Sequence, residues 1–395
     1  MPTRSAPPYH PSRTPQRIAI AGAGPAGLAA AIALARDGHA VDVFERHPGL
    51  APVGAGLLIQ PQGLEALAAL GLADAFAAVS VPVTRLLGHA HRGWTLVDLD
   101  FARRPARGVS RARLSWLLHG AAIAAGAQVH FGQPIDTLGR DGPDAVLRIG
   151  GRDERYALCV VANGAASTLR ESAGLAAAAR PYAWGALWGQ FTVADWPQAD
   201  VLLQRFRGTR EMVGLLPTEA TPQGLRLSLF WSLRRDRYDA WRTGDLAAWR
   251  DGERRLWPEA APVLEQIVRH DDLALAVYRH SWPRAMARAP FAVMGDAAHA
   301  MSPQLGLGTT LALQDALGLA TGLRGHTTLA DGLAAYQRAR LGPSRAYQTL
   351  SRLLTPCFQA DRGGWLRDLA FAGGRRLPGV RWAMQRSLAE PPPLT

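Results

Sequence analysis

Short apolar runs bounded by glycine alternate with helical-period stretches over the first part of the chain. This pattern predicts a buried strand over 17–21, a helix over 26–36 that Gly38 stops, and a second strand over 40–44 closing at Glu45. Together they form a βαβ unit of about thirty residues. Further helices are expected over 64–70, ended by Gly71, and over 110–125, with Leu114, Leu117, Leu118 and Ala121 on one face. Strands are expected at 129–131, 146–149 and 158–162, and the alternation over 81–100 suggests more. From 181 to 282 the character changes. Tyr182, Trp184, Trp188, Phe191, Trp196, Phe206, Phe230 and Trp231 cluster there, strand-like runs such as 225–233 dominate, and a helical insert falls near 245–256. A strand at 291–294, a loop and a helix at 309–323 then return to the first pattern, and an arginine-rich helical tail runs from 344.

These elements predict an α/β fold: a Rossmann-like dinucleotide-binding domain, an inserted sheet-rich domain and a helical C-terminal tail. The boundaries expected are 17–180 and 283–343 for the discontinuous first domain and 181–282 for the second, to which 81–104 contributes. The tail is 344–395. The Pro-rich segment 1–16 reads as a disordered leader. At 395 residues the chain is long enough for two cores.

Composition narrows the partners. The chain carries a formal net charge of +12, and all 44 basic residues are arginines. They are scattered, without an aromatic-basic platform or a helix-turn-helix signal, which argues against nucleic acid. A coding preference for arginine accounts for such charge more readily than an anionic substrate, a phosphorylated cosubstrate or an acidic membrane surface. Two distant cysteines, Cys159 and Cys357, exclude a disulfide framework and point to a cytoplasmic setting. The uncharged run 18–35 contains Gly22, Gly24, Gly27 and Pro25, so it reads as strand, turn and helix, not as a membrane span. An arginine-rich tail with Trp365, Phe371 and Trp382 reads as docking onto the core more readily than as a membrane contact. His89 and His91 lack a third ligand, so no metal is expected. A monomer or homodimer is expected.

The segment Gly22-Ala23-Gly24-Pro25-Ala26-Gly27 lies between the first strand and the first helix. The first glycine permits the turn, the second admits a pyrophosphate close to the backbone, and the third lets helix and sheet pack. The phosphates then face a helix N-terminus, whose free N–H groups suit an anion. Glu45, followed by Arg46, is placed to hydrogen-bond adenosine ribose hydroxyls. The fingerprint alone does not separate NAD from FAD.

Later segments do. Gly295-Asp296-Ala297-Ala298-His299 follows a short apolar strand, and Ser302-Pro303-Gln304-Leu305-Gly306-Leu307-Gly308-Thr309-Thr310 runs into a helix bearing Gln314-Asp315-Ala316. From about Arg17 to the C-terminal helices, the chain resembles the single-component aromatic hydroxylases, the para-hydroxybenzoate hydroxylase-like flavoprotein monooxygenases. The resemblance implies that the first domain binds FAD. It places Asp296 on the ribityl chain, Pro303 beside the flavin ring, and the backbone N–H groups of Gly306, Gly308 and Thr309 at the ring's N1–C2=O edge. Arg111, at the start of a helix, is expected near the FAD pyrophosphate, and Gly54-Ala55-Gly56-Leu57 matches a loop beside the flavin. The chain has Ala162-Asn163-Gly164, followed by Ser167 and Arg170, where the family usually shows Ala-Asp-Gly. Leu307 and Thr310 stand where Gln and Asn are common. Asn163 is expected to contact FAD, with cosubstrate handling altered.

The resemblance implies an NAD(P)H-driven monooxygenase that captures O2 as a flavin C4a-hydroperoxide and inserts one oxygen into a small aromatic or apolar substrate. Trp184, Trp188, Phe230 and Trp231 are the pocket candidates. No acid–base residue stands out, since His299 belongs to the FAD motif. The departures at Asn163 and Leu307 keep open an FAD-dependent reductase or dehydrogenase without oxygen insertion, or a non-catalytic flavin-binding protein. The absence of lysine excludes a lysine-dependent flavin halogenase.

Overall fold

Arg17–Ala21 is the centre of a six-stranded sheet in the computed structural model, which describes residues 14–50, 54–175 and 179–374. The strand order is Ala287–Arg288, Phe291–Val293, Leu158–Val161, Arg17–Ala21, Ala40–Glu45 and Gln128–Phe131. All pairings but the first are parallel. The four central strands are short and almost wholly apolar because helices cover both faces, which is why they read as continuous runs. Helix Pro25–Arg36 is alanine-rich for a related reason: it packs against both Arg111–Ala124 and Gly308–Arg324, and nine of its residues are buried.

A second, seven-stranded sheet runs in the order Ala274–His280, Arg180–Val193, Gly224–Arg234, Glu211–Thr221, Val201–Arg207, Arg85–Ala90 and Thr95–Asp100. Its last two strands come from an early part of the chain, and Val201–Arg207 pairs with Arg85–Ala90 in parallel. Side chains alternate across it. On Val201–Arg207, Leu203 enters a core with Leu187, Val213, Leu215 and Leu229 beneath the helical segment 238–264, while Leu202, Gln204 and Phe206 face the other way. That second face looks back toward the first sheet.

Two small sheets complete the strand inventory of the described residues. Gly56–Ile59, Ala106–Ser110 and Val81–Val83 bridge the large sheets, and Ile135–Asp141, Asp144–Ile149 and Arg152–Tyr156 form a meander. The C-terminal helix differs from expectation. It is one 30-residue element, Leu329–Phe358, so the boundary at 344 falls inside it. Gly342-Pro343 reads as a breaker in sequence, but a proline costs a helix one hydrogen bond and a local clash, which packing can offset. Here Leu333, Tyr336, Arg340, Ser344 and Gln348 bury one stripe on either side of the proline. A second helix, Gly364–Gly374, follows. The proposed leader lies outside the described residues except at 14–16, and so does the tail beyond 374, including Trp382.

Candidate active site

The glycine turn is built by close approach. Gly22 has φ +104°, and its N–H donates to the Phe44 carbonyl (2.8 Å). A β-carbon at Gly22 would lie 2.7 Å from the Ala162 carbonyl oxygen, and one at Gly27 would lie 2.0 Å from the Gly22 carbonyl oxygen. A β-carbon at Gly24 would meet nothing within 4 Å, because that position opens onto a cavity. Gly24 is the N-cap of Pro25–Arg36 and no side chain caps the helix, so its N-terminus is left for a ligand. Glu45 is fixed at the turn's edge: Oε2 accepts the Ala23 N–H (2.9 Å) and Oε1 the His47 N–H (3.0 Å).

A single cavity of about 1330 Å³ extends from this turn into the space between the two large sheets. Gly22, Gly24, Pro25, Ala26, Glu45, Arg46, Gly56, Arg111, Asn163, Asp296, Pro303, Gly306, Gly308 and Thr309 all line it. Gly27 does not, and its role is the helix–sheet contact. Its volume exceeds the roughly 300–1,000 Å³ of a pocket for one small molecule, so it has room for a dinucleotide and a second ligand.

The loop beneath the middle of the cavity is anchored from below. Gly295, at φ +56°, turns the chain so that Asp296 is exposed to the cavity while Ala297, Ala298 and His299 are buried. Asp315 holds this turn. Its Oδ2 accepts the Gly295 N–H (3.0 Å) and pairs with His299 Nε2 (2.6 Å), and its Oδ1 accepts from Arg340 Nε (2.8 Å). Burial alone would raise the Asp315 carboxyl, but the charges and hydrogen bonds of His299 and Arg340 hold it below the ordinary value. His299 is therefore engaged away from the cavity. Sequence reasoning noted Arg170 without a role. It is fully buried, donating from its two terminal nitrogens to the carbonyls of Ala297 (3.0 Å) and Ala165 (2.9 Å), so it ties the Asn163 loop to the Asp296 loop.

Asn163 Oδ1 is buried with no hydrogen-bond partner among the described residues. An unsatisfied buried acceptor beside an open cavity suits a bound donor. Further along, Gln60 Nε2 donates to the Leu305 carbonyl (2.9 Å), fixing the turn before Gly306. Leu307 packs with Leu305 and Leu311 at the edge of the cavity, and Thr310 is buried against Gly63 with no hydrogen-bond partner for its hydroxyl among the described residues. The following helix, Gly308–Arg324, also lacks a side-chain N-cap. On the other side, Gly56 N–H donates to Ser228 Oγ (2.8 Å) and Gln190 donates to the Gly54 carbonyl. Tyr278 lines the cavity near Arg111, and burial pushes its hydroxyl up to about 12 against the arginine's charge.

The aromatic candidates do not all face the cavity, and strand parity separates Phe230 from Trp231. Trp188 and Phe230 line the cavity. Trp231, next to Phe230, points to the opposite face, stacks edge-on with Trp249 and donates to Glu211 (3.1 Å). Trp184 is buried outside the cavity lining. Adjacent strand residues cannot share a face, a constraint that aromatic clustering alone does not express.

The sequence profile of the FAD binding domain family matches residues 16–349. The chain belongs to the FAD-dependent aromatic hydroxylases. It is 32% identical to the 2-heptyl-3-hydroxy-4(1H)-quinolone synthase of Mycobacteroides abscessus over 84% of this chain and 88% of that protein. It is 30% identical to the kynurenine 3-monooxygenase of Salinispora arenicola, over 83% and 77%. Two solved structures share the fold. P. aeruginosa PqsL in complex with 2-aminobenzoylacetate has a TM-score of 0.78 at 24% identity, covering 91% of this chain and 99% of that one. The tetrameric form of 2-methyl-3-hydroxypyridine-5-carboxylic acid oxygenase has a TM-score of 0.76 at 22% identity, covering 97% and 94%. This aromatic hydroxylase is thus an FAD-dependent monooxygenase of the para-hydroxybenzoate hydroxylase-like group, and the uncapped helices, the open Gly24 and the orphaned Asn163 oxygen fit FAD.

Proposed function

We propose that this monooxygenase is driven by NAD(P)H and, through a flavin C4a-hydroperoxide, inserts one oxygen atom into a small aromatic or apolar substrate. The observation that carries the reading is the continuity of one cavity from the dinucleotide turn to the apolar face of the second sheet. FAD supplies the redox chemistry, and the protein supplies position and dryness. In this reading Gly22, Gly24, Ala26 and the N-terminus of Pro25–Arg36 hold the pyrophosphate, with Arg111 adding positive charge. Glu45 and Arg46 hold the adenosine end, Asp296 the ribityl hydroxyls, and Asn163 donates to or accepts from the cofactor. Pro303 and the backbone of Gly306, Gly308 and Thr309 border the ring, and the helix N-terminus there favours negative charge on it. Trp188 and Phe230 face the substrate. NAD(P)H visits transiently, since the chain has one dinucleotide fingerprint.

The test is turnover under ¹⁸O2 with NADPH or NADH, using an alkylquinolone and L-kynurenine as substrates suggested by the relatives' names. One labelled oxygen in the product is expected. Nicotinamide oxidation that yields only hydrogen peroxide with every aromatic substrate tried would sink the proposal.

A further inference from the structure

The far half of the cavity is walled by the inner face of the seven-stranded sheet and by the C-terminal helices. Leu86, Val97, Leu99, Leu202, Met212 and Leu216 line it from the sheet, and Leu350, Leu354, Phe358 and Phe371 from the helices. The cavity's charged lining residues, Glu45, Arg46, Arg111 and Asp296, all belong to the cofactor half. Arg367 is a charged group behind the far wall. It is buried and paired with Asp368 (2.8 Å), donates to the carbonyls of Cys357 (2.8 Å) and Gly208 (2.6 Å), and lies over the Phe206 and Phe358 rings. Each of its three nitrogens is hydrogen-bonded within the protein, so it braces the wall.

Within this apolar surface one amide stands out by its placement. Gln204 lies between Gly88 on one neighbouring strand and Gly214 on the other. Neither glycine has room for a β-carbon with the rings where they lie: one at Gly88 would fall 2.8 Å from the Phe206 ring and one at Gly214 would fall 2.1 Å from the Phe230 ring. The two rings therefore lie down over the glycines on either side of Gln204. Ser228 and Ser232 share the face, but their hydroxyl oxygens accept the N–H groups of Gly56 (2.8 Å) and Met212 (2.9 Å). No hydrogen bond from the Gln204 side chain to any described residue is present, although its amide carries two donors and an acceptor.

Resting on the monooxygenase reading, we propose that Gln204 is the specificity-determining residue for the ring. It hydrogen-bonds a polar edge of an uncharged planar substrate lodged between Phe206 and Phe230, whose apolar arm fills the slot toward Val97, Leu99, Phe358 and Phe371. An amide can donate to a ring carbonyl or accept from a ring N–H or hydroxyl, so it suits a neutral heteroaromatic edge. A zwitterionic amino-acid side chain would have to leave its charges unpaired against the wall, which is costly.

Ligand binding to the FAD-loaded protein, read from the perturbation of the flavin absorption spectrum, tests this without turnover. The probes are 2-methyl- and 2-heptyl-4(1H)-quinolone, 2-heptylnaphthalene, which lacks the polar edge, and L-kynurenine. Burial of each added CH2 should tighten quinolone binding about three- to fourfold until the slot is full. Gln204→Leu should weaken the heptylquinolone about three- to tenfold and leave heptylnaphthalene unchanged or tighter. Phe371→Ala should weaken the heptyl probe more than the methyl one, with the Gln204 effect retained. Retained FAD in each variant shows that the fold is intact. Equal losses for quinolone and naphthalene in Gln204→Leu, or tighter binding of L-kynurenine than of heptylquinolone, would overturn the assignment. Oxygen labelling is scored separately, so a bound ligand that is never oxygenated refutes the monooxygenase reading and not this one.

Discussion

The three glycines of the dinucleotide turn look alike in sequence and do different things. Gly27 has no room for a methyl group, whereas Gly24 has nothing but cavity around it. Gly27→Ala should therefore fail as a folded protein or lose several kcal/mol, of the order expected for overpacking plus backbone displacement (about 1–3 kcal/mol or more). Gly24→Ala should leave the melting temperature of the FAD-free protein within about 1 °C and lower the FAD retained on purification. Absorbance at the flavin band and thermal melts of both variants check this pair. The turn was legible because spacing alone encodes it. Arg170 was not, since one buried arginine in a chain with 44 arginines carries no pattern. Its function as a clasp between two loops follows only from the carbonyls it meets.

At the level of elements, Asp315 joins three segments: the Gly295 turn, the His299 helix and the long helix through Arg340. Because its folded pKa is depressed, its contribution to stability is present above the unfolded value and is lost as pH falls through the folded one. Asp315→Asn should cost about 3–5 kcal/mol near neutrality, since it leaves buried partners uncompensated, and the difference from wild type should shrink in acid melts. Glu253 behaves oppositely. Burial, then the hydrogen bond and charge of Glu211, push its carboxyl up to about 10. A raised carboxyl pKa means that stability is greatest below the unfolded pKa and declines as pH rises toward the folded one. Glu253→Gln should raise the melting temperature at pH 8, by on the order of 1–3 kcal/mol in stability, and the gain should vanish near pH 4. A gain independent of pH would refute the linkage. The short parallel strands, the first helix and the Gly308–Arg324 helix were readable from apolar runs and glycine punctuation. The meander strand Arg152–Tyr156 was not, because four of its five residues are charged. Nor was the orientation of Trp231, which depends on register.

On the scale of the whole molecule, the cavity takes its lining from the first sheet, the second sheet and the helices after residue 329. A ligand that contacts elements so far apart should stabilise them together. Stripping FAD should lower the melting temperature by several degrees and widen the transition, and adding FAD back should restore it. An unchanged melting temperature would refute the prediction. The same arrangement governs the molecule's birth on the ribosome. The core strand containing Cys159 has one edge that pairs with Phe291–Val293, and five strands of the seven-stranded sheet are threaded between those two partners. The nascent N-terminal sheet must wait with an unpaired apolar edge until the inserted domain has emerged. Such non-local closure is slow and leaves the edge open to aggregation. Recombinant yield should therefore respond to slower translation or lower temperature during synthesis more than the finished protein's stability would suggest.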